Sequence, residues 1–360
     1  MRVGLLIYGA LETISGGYLY DRKLVKYLRR QGDDVNIISL PWRNYVRHIG
    51  DNLSLSWLHR LGQLPLDVLL QDELNHPSFF LLNRWLRARV DYPIVSIVHH
   101  LRSSEERQTW QNRFYRWVER YYLSTVDGFV FNSQTTRRAV ESLTGEERPA
   151  VMAYAAADHL SSEITEEEIA ARARQPGPLR LIFLGNVIPR KGLHTLLSAL
   201  SQLPGDDGIL SVVGSLHVDK SYVRAIRHQV SERGLTERVQ FLGALSDDAL
   251  IARLRQSHLL VVPSSYEGFG IAYLEGIGFG LPAVATTAGA AGEIITHGRD
   301  GFLIPPGDTK TLALYLSEVS RDRDRLLAMS LAARQRYVTH PTWEETTKRI
   351  RTFLQAFVEK

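Results

Sequence analysis

Cysteine is absent from the 360 residues. Disulfides and thiolate metal sites are therefore excluded, and a reducing compartment is compatible. An excess of one charge is lacking too. The 43 Lys and Arg against 39 Asp and Glu leave a net charge of +4, too little for a dedicated nucleic-acid binder. No apolar run approaches the ~20 residues that span a bilayer. The opening Met1-Arg2-Val3-Gly4-Leu5-Leu6-Ile7-Tyr8 is shorter than a signal-peptide core, and Glu12 and Gly16-Gly17 follow at once. It reads as a first buried strand, and the chain is expected in the cytoplasm. Ser15-Gly16-Gly17 is not a Gly-x-Gly-x-x-Gly turn, so a nicotinamide or flavin site lacks support. His99-His100 has no metal-binding helix spacing.

What is present is ordinary globular composition, 44% hydrophobic and 23% charged, arranged as two rounds of one pattern. Apolar runs at 3–8, 35–40, 68–70, 94–98, 128–131 and 150–153 alternate with helical stretches such as Tyr18 to Arg30 and Thr109 to Leu123. Short strands alternating with helices imply a parallel sheet with right-handed crossovers. A polar, glutamate-rich stretch over 161–175 and Pro176-Gly177-Pro178 then read as a linker with room for one short helix. The alternation restarts at 179–185 and continues through 209–213, 239–242, 258–262, 283–286 and 302–304. The expected class is α/β, two Rossmann-like α/β/α domains. Residues 1–160 form the first domain, 161–178 the linker, 179–340 the second domain, and 341–360 hold a long terminal helix.

Glu267-Gly268-Phe269-Gly270-Ile271-Ala272-Tyr273-Leu274-Glu275 carries the densest chemistry. The apolar run before it and the glycines inside it read as strand, loop, helix. That sets Glu267 at the carboxyl end of a strand, where open α/β sheets bind ligands. A helix starting near Gly270 would turn free amides toward an anion. Glu275 then lies roughly 7 Å further along the axis, at about 1.5 Å per residue. Sugar hydroxyls, diphosphate and ribose hydroxyls follow one another in that order in a nucleotide-sugar, and carboxylates accept from hydroxyls. A second strand end runs into Gly185-Asn186-Val187-Ile188-Pro189-Arg190-Lys191-Gly192 and a helix. Arg190 and Lys191 there suit a diphosphate. Gly16 and Gly17 likewise let backbone amides come close to an anion.

These segments resemble the family-4 retaining glycosyltransferases of the GT-B fold, which carry Glu-x7-Glu with Gly-Phe-Gly after the first glutamate. The resemblance covers both halves and is specific over 181–192 and 257–307. It implies two domains facing across a cleft, with the terminal helix returning to the first. The implied activity is metal-independent transfer of a sugar, with retention, from a UDP- or GDP-linked donor to a hydroxyl of a glycan, glycolipid or small molecule, without a cofactor. Implied catalytic residues are Glu267, Lys191 and His99, the last facing the donor sugar from the end of the strand over 94–98. Implied donor contacts are Gly16, Gly17, Arg190, Lys191, Gly214, Gly268, Phe269, Gly270, Ile271 and Glu275.

The chain departs from the family at Asn186, where an arginine commonly stands, and at Ala155-Ala156-Ala157-Asp158, where Gly-x-Asp is frequent. Ala288 to Ile294 resembles the family's Gly-Gly-x-x-Glu with one glycine replaced. Asp322-Arg323-Asp324 has the metal spacing of a different glycosyltransferase fold, but it is interleaved with arginines and reads as surface. The expected metal ligand set is none. A nucleotide-sugar epimerase of the same fold and a non-catalytic nucleotide-sugar-binding subunit stay open as alternatives. Partners are a donor and a hydroxyl acceptor, without nucleic acid. Two basic groups also suit the inner face of an anionic membrane: Lys23, Lys26, Arg29 and Arg30, and Arg102, Arg107, Arg113, Arg116 and Arg120 among aromatics.

Overall fold

The computed structural model describes residues 1–204 and 207–358. It divides into two units: Met1–Ala155 together with the residues from Pro341 onward, and Ala156–His340. Each is built on a six-stranded sheet in which every pairing is parallel.

The N-terminal sheet comprises β1 (Arg2–Tyr8), β2 (Asp34–Leu40), β3 (Val68–Asp72), β4 (Ile94–Val98), β5 (Gly128–Phe131) and β6 (Ala150–Met152). Their order is β2-β1-β3-β4-β5-β6. β3, β4 and β5 are buried at every position. Continuous apolar runs produce this because helices cover both faces of a parallel sheet. The helix Gly16–Arg30 starts where Ser15 Oγ accepts from the Tyr18 amide at 3.4 Å. The helix Trp343–Val358 packs against it, with Trp343 edge-on to Tyr20 at 5.5 Å. Arg351 Nε donates to Asp33 at 2.7 Å, and Thr346 Oγ1 to the Tyr154 carbonyl at 2.7 Å. Four short helices, Tyr45–Gly50, Leu55–Gly62, His76–Phe79 and Leu82–Arg87, lie between β2 and β4, two on either side of β3 in the chain.

The C-terminal sheet comprises β7 (Leu179–Leu184), β8 (Gly208–Val213), β9 (Val239–Gly243), β10 (Leu259–Val261), β11 (Ala283–Thr286) and β12 (Gly301–Ile304). The order β12-β11-β10-β7-β8-β9 is the doubly wound Rossmann order. Its direction of winding reverses between β7 and β10, which opens a crevice at their carboxyl ends. Residues 161–178, expected as a linker, include the helix Glu166–Arg174. Thr165 and Glu168 cap it reciprocally, and it packs on the helix Arg323–Val338 of the same unit. Among the described residues no helix is long and apolar enough to cross a membrane.

Candidate functional site

The exits of β7 and β10 meet at the reversal point of the C-terminal sheet. β7 leads through Gly185 (φ +148°) into the turn Pro189–Lys191. Gly192 follows with φ +71°, and a Cβ there would lie 2.1 Å from the Pro263 carbonyl oxygen. Only glycine allows that contact, so the two loops touch and Lys191 is set down beside the β10 exit. The Ser265 amide donates to the Arg190 carbonyl at 2.8 Å, fastening the junction.

Glu267 is the focus. Its side chain is buried, and Oε1 accepts from Lys191 Nζ at 2.5 Å and from Ser264 Oγ at 2.7 Å. Arg190 Nη1 donates to the Tyr266 carbonyl at 2.7 Å and lies 3.6 Å from Glu267 Oε2. Burial pushes the Glu267 carboxyl up, but the charges of Lys191 and Arg190, with the two hydrogen bonds, outweigh it and hold it at about 2. The backbone of Glu267 is fixed as well. Its amide donates to the Ala288 carbonyl at 3.3 Å, and its carbonyl accepts from the Ala290 amide at 2.9 Å. Between these, Gly289 has φ +90° and no room for a Cβ, which would lie 2.0 Å from the Glu267 oxygen. Arg190, read from the sequence as a diphosphate partner, thus lies beside the carboxylate.

Beyond Glu267, the chain turns through Gly268 and the buried Phe269 to Gly270 (φ +98°), where the helix Ile271–Gly278 begins. No side chain caps this start, and the Tyr273 amide donates to the Gly270 carbonyl at 2.9 Å, so the amides of Ile271 and Ala272 are the ones a helix start offers to an anion. Tyr273 crosses beneath Gly270 and donates to the Val262 carbonyl at 2.8 Å, tying the helix to β10. Glu275, one turn on, pairs through Oε1 with His159 Nε2 at 3.1 Å. His159 is a partner the sequence reading missed, although it directly follows the Ala155 to Asp158 stretch. Gly214 (φ +139°) ends β8, and its missing Cβ lets the Gly185 backbone pass within contact distance.

Gly16, Gly17 and His99 belong to the N-terminal unit. Gly17 opens space for the His99 ring, 3.3 Å from where its Cβ would sit. The ring lies edge-on to Tyr20 at 5.2 Å, with Nε2 3.8 Å from Asp21 Oδ1. The side chain is 13% exposed, with Asp21 wholly buried behind it. His100 pairs with Glu105 at 3.0 Å. Around them lie ionisable groups that the sequence did not mark: Asp21, Asp72, Glu73, His76 and Glu119, all buried. Burial first, then Asp21, pushes Asp72 up to about 7. For three of them the sequence signal is the run Asp72-Glu73-Leu74-Asn75-His76, which starts at the last residue of β3. A concavity of about 680 Å³ lies elsewhere in this unit, lined by Arg84, Arg87, Asp127 and Arg148 among others. It sits toward the amino ends of the strands, and Arg87 is committed to Asp127 at 2.6 Å, so we do not assign it to the chemistry.

The class of the protein follows from comparison with known families. Residues 164–336 match the model for glycosyl transferases group 1, and residues 16–155 match the glycosyl transferase 4-like domain. With one such domain in each unit, the chain is a glycosyltransferase. The phosphatidyl-myo-inositol mannosyltransferase of Mycobacterium leprae is 26% identical over 366 residues, covering 94% of this chain and 93% of that one. A GDP-mannose-dependent alpha-(1-6)-phosphatidylinositol monomannoside mannosyltransferase of Mycobacterium tuberculosis is 27% identical over 197 residues, covering 52% of this chain and 50% of its own length. Among solved structures, Anabaena HepE in complex with UDP and glucose superposes with a TM-score of 0.78 at 20% identity, covering 99% of this chain and 100% of that one. The fold is accordingly that of the GT-B glycosyltransferases.

Proposed function

We propose that the chain moves a glycosyl group, with retention at the anomeric carbon, from a UDP- or GDP-linked sugar to an acceptor hydroxyl. The observation that carries this is the Lys191–Glu267–Arg190 assembly beside the uncapped start of the helix Ile271–Gly278. Lys191, Arg190 and the helix amides receive the diphosphate and stabilise it as it leaves. Glu275 holds the ribose hydroxyls, braced by His159. Glu267 accepts hydroxyls of the transferred sugar, and its ionised state favours the positive charge that develops at the anomeric carbon. Reaction on one face through an oxocarbenium-like state requires no covalent nucleophile and no metal.

The relatives support a hydroxyl on a lipid-borne polyol or a glycan as acceptor, since two are named for phosphatidylinositol species. An anionic membrane surface fits such an acceptor. Of the two basic groups, Arg30 pairs with Glu344 and Arg29 donates to the Val35 carbonyl. The helix Thr109–Leu123 instead exposes Trp110, Phe114 and Trp117 between Arg113, Arg116 and Arg120, a composition suited to a headgroup layer.

The direct test is calorimetric titration with UDP, GDP and their sugars, followed by NMR of the glycoside formed. Binding of one nucleotide class and a product of unchanged anomeric configuration are expected. An inverted product removes retention, and donor isomerisation without transfer would make the epimerase the better reading.

A further inference from the structure

The concavity at the amino edge of the N-terminal sheet gathers three guanidinium groups, those of Arg84, Arg87 and Arg148, against one carboxylate, Asp127. Its volume of about 680 Å³ lies in the range of small-molecule sites. The carboxyl end of the helix Thr109–Leu123 accounts for two of the cations. Arg148 Nη1 donates to the Leu123 carbonyl at 3.2 Å and to the Val126 carbonyl, and Arg87 Nη1 donates to the Thr125 carbonyl at 3.1 Å. These contacts supply the donors that a helix end lacks.

They do not account for Arg84, which caps no carbonyl. Its Nη1 donates to the Tyr121 hydroxyl at 2.8 Å, with the guanidinium 5.7 Å from the centre of that ring. Among the described residues no carboxylate pairs with it. Arg84 and Arg87 stand three positions apart on the helix Leu82–Arg87, so they leave one face with Cβ atoms ~5–6 Å apart. Like charges at that spacing repel. Asp127, 2.6 Å from Arg87 Nη1, offsets one of them, and Glu146 takes Arg148 Nη2 at 2.8 Å. Arg84 and Arg87 are each anchored through Nη1, and their Nε and Nη2 have no partner among the described residues. Those two nitrogens form the edge of a guanidinium that presents paired N–H donors to two oxygens of one anion. A carboxylate can fill only one such edge, whereas a phosphate group has oxygens for both.

We propose that this concavity binds a phosphate ester, gripped by the Nε and Nη2 edges of Arg84 and Arg87, with Arg148 adding charge. Val126 is the one aliphatic residue of the lining, so the esterified group is polar: a phosphorylated sugar or polyol, free or as the headgroup of a lipid. The carboxyl edge of the sheet, with Gly16, Gly17 and His99, stays open while this site is filled.

The test uses the full-length chain and glycerol 3-phosphate as probe, titrated calorimetrically into wild type, Lys191→Ala, Arg84→Gln and Arg84→Lys. Lys191→Ala removes a cation from the proposed diphosphate site, and it should keep one equivalent of binding. Arg84→Gln should weaken that binding on the order of 10–100-fold, the loss of a charge-assisted contact. Arg84→Lys should lose nearly as much, because an ammonium restores the charge and not the paired donors. Arg84 is exposed and holds no helix end, so both variants should melt at the wild-type temperature without ligand. Co-sedimentation with vesicles of phosphatidic acid in phosphatidylcholine, against phosphatidylcholine alone, separates the sources. Retention that Arg84→Gln weakens and glycerol 3-phosphate competes away identifies a lipid headgroup, and calorimetric binding without such retention identifies a soluble ester. Absence of binding in Lys191→Ala, unchanged affinity in Arg84→Gln, or wild-type affinity in Arg84→Lys would each overturn the proposal.

Discussion

Glu267 keeps its negative charge where burial alone would remove it, because two cations and a serine hydroxyl surround it. Its folded pKa, about 2, lies below the ordinary 4.5. The contribution to stability is therefore fully present above about pH 5 and lost as pH falls through 2. The size is on the order of 3 kcal/mol. We expect the stability difference between wild type and Glu267→Gln to shrink as pH is lowered from 5 to 2, as read from urea unfolding. A constant difference would show that the carboxylate is not held down. The same pairing bears on ligands. Lys191→Ala should weaken nucleoside diphosphate binding by about 1.5–3 kcal/mol, the loss of a charge-assisted contact. Glu267→Gln should leave that affinity undiminished, since it releases Lys191 to the phosphates, while turnover falls. Equal losses of diphosphate affinity in both variants would contradict the division. Glu267, Lys191 and Glu275 were legible in the sequence because one strand–loop–helix segment carries two of them at a fixed spacing. The aim of Arg190 and the contact between His159 and Glu275 were not, because they arise from chain segments 77 and 116 residues apart.

At the scale of elements, every strand of both sheets could be read from short apolar runs, since the central parallel strands are buried on two faces and the edge strands β2, β6 and β9, partly exposed, still keep apolar positions. The helices between β2 and β4 could not. They have four to eight residues, too few turns for a 3.6-residue period to stand out. One consequence is that Asp72, Glu73 and His76 received no role from the sequence. The two basic helices were equivalent in sequence but differ in the fold. Gly16–Arg30 packs against Trp343–Val358, whereas Thr109–Leu123 leaves Trp110 66% and Trp117 53% exposed. If the chain works at an anionic membrane, Arg113→Glu with Arg116→Glu should reduce co-sedimentation with anionic vesicles. Each charge is worth about 1 kcal/mol near such a surface, and the effect should fade at high salt. Wild-type protein that stays in the supernatant with anionic and neutral vesicles, at low and high salt alike, would leave a small or polymeric acceptor as the better reading.

At the scale of the whole molecule, the reversal point of the C-terminal sheet gathers Arg190, Lys191 and Glu267, and the corresponding carboxyl edge of the N-terminal sheet gathers Asp21, Asp72 and His99. A shared plan of winding thus carries different chemistry in each unit. The N-terminal unit is also discontinuous, because its last helix follows the entire other unit in the chain. Leu354 in that helix is fully buried, and Leu354→Ala should cost about 2–5 kcal/mol. Amide exchange should quicken in β1 to β6 and not in β7 to β12. Uniform quickening across both sheets would mean that the two units do not unfold separately. During synthesis, residues 156–340 must be made before the closing helix emerges. At ~5–20 residues per second that delay is on the order of 10–40 s. For that time Tyr20 lacks Trp343, and Gly128 lacks the Phe357 ring that fills the space beside it. The nascent first unit therefore waits on the ribosome with an uncovered apolar seam, and a chaperone would find its binding surface there.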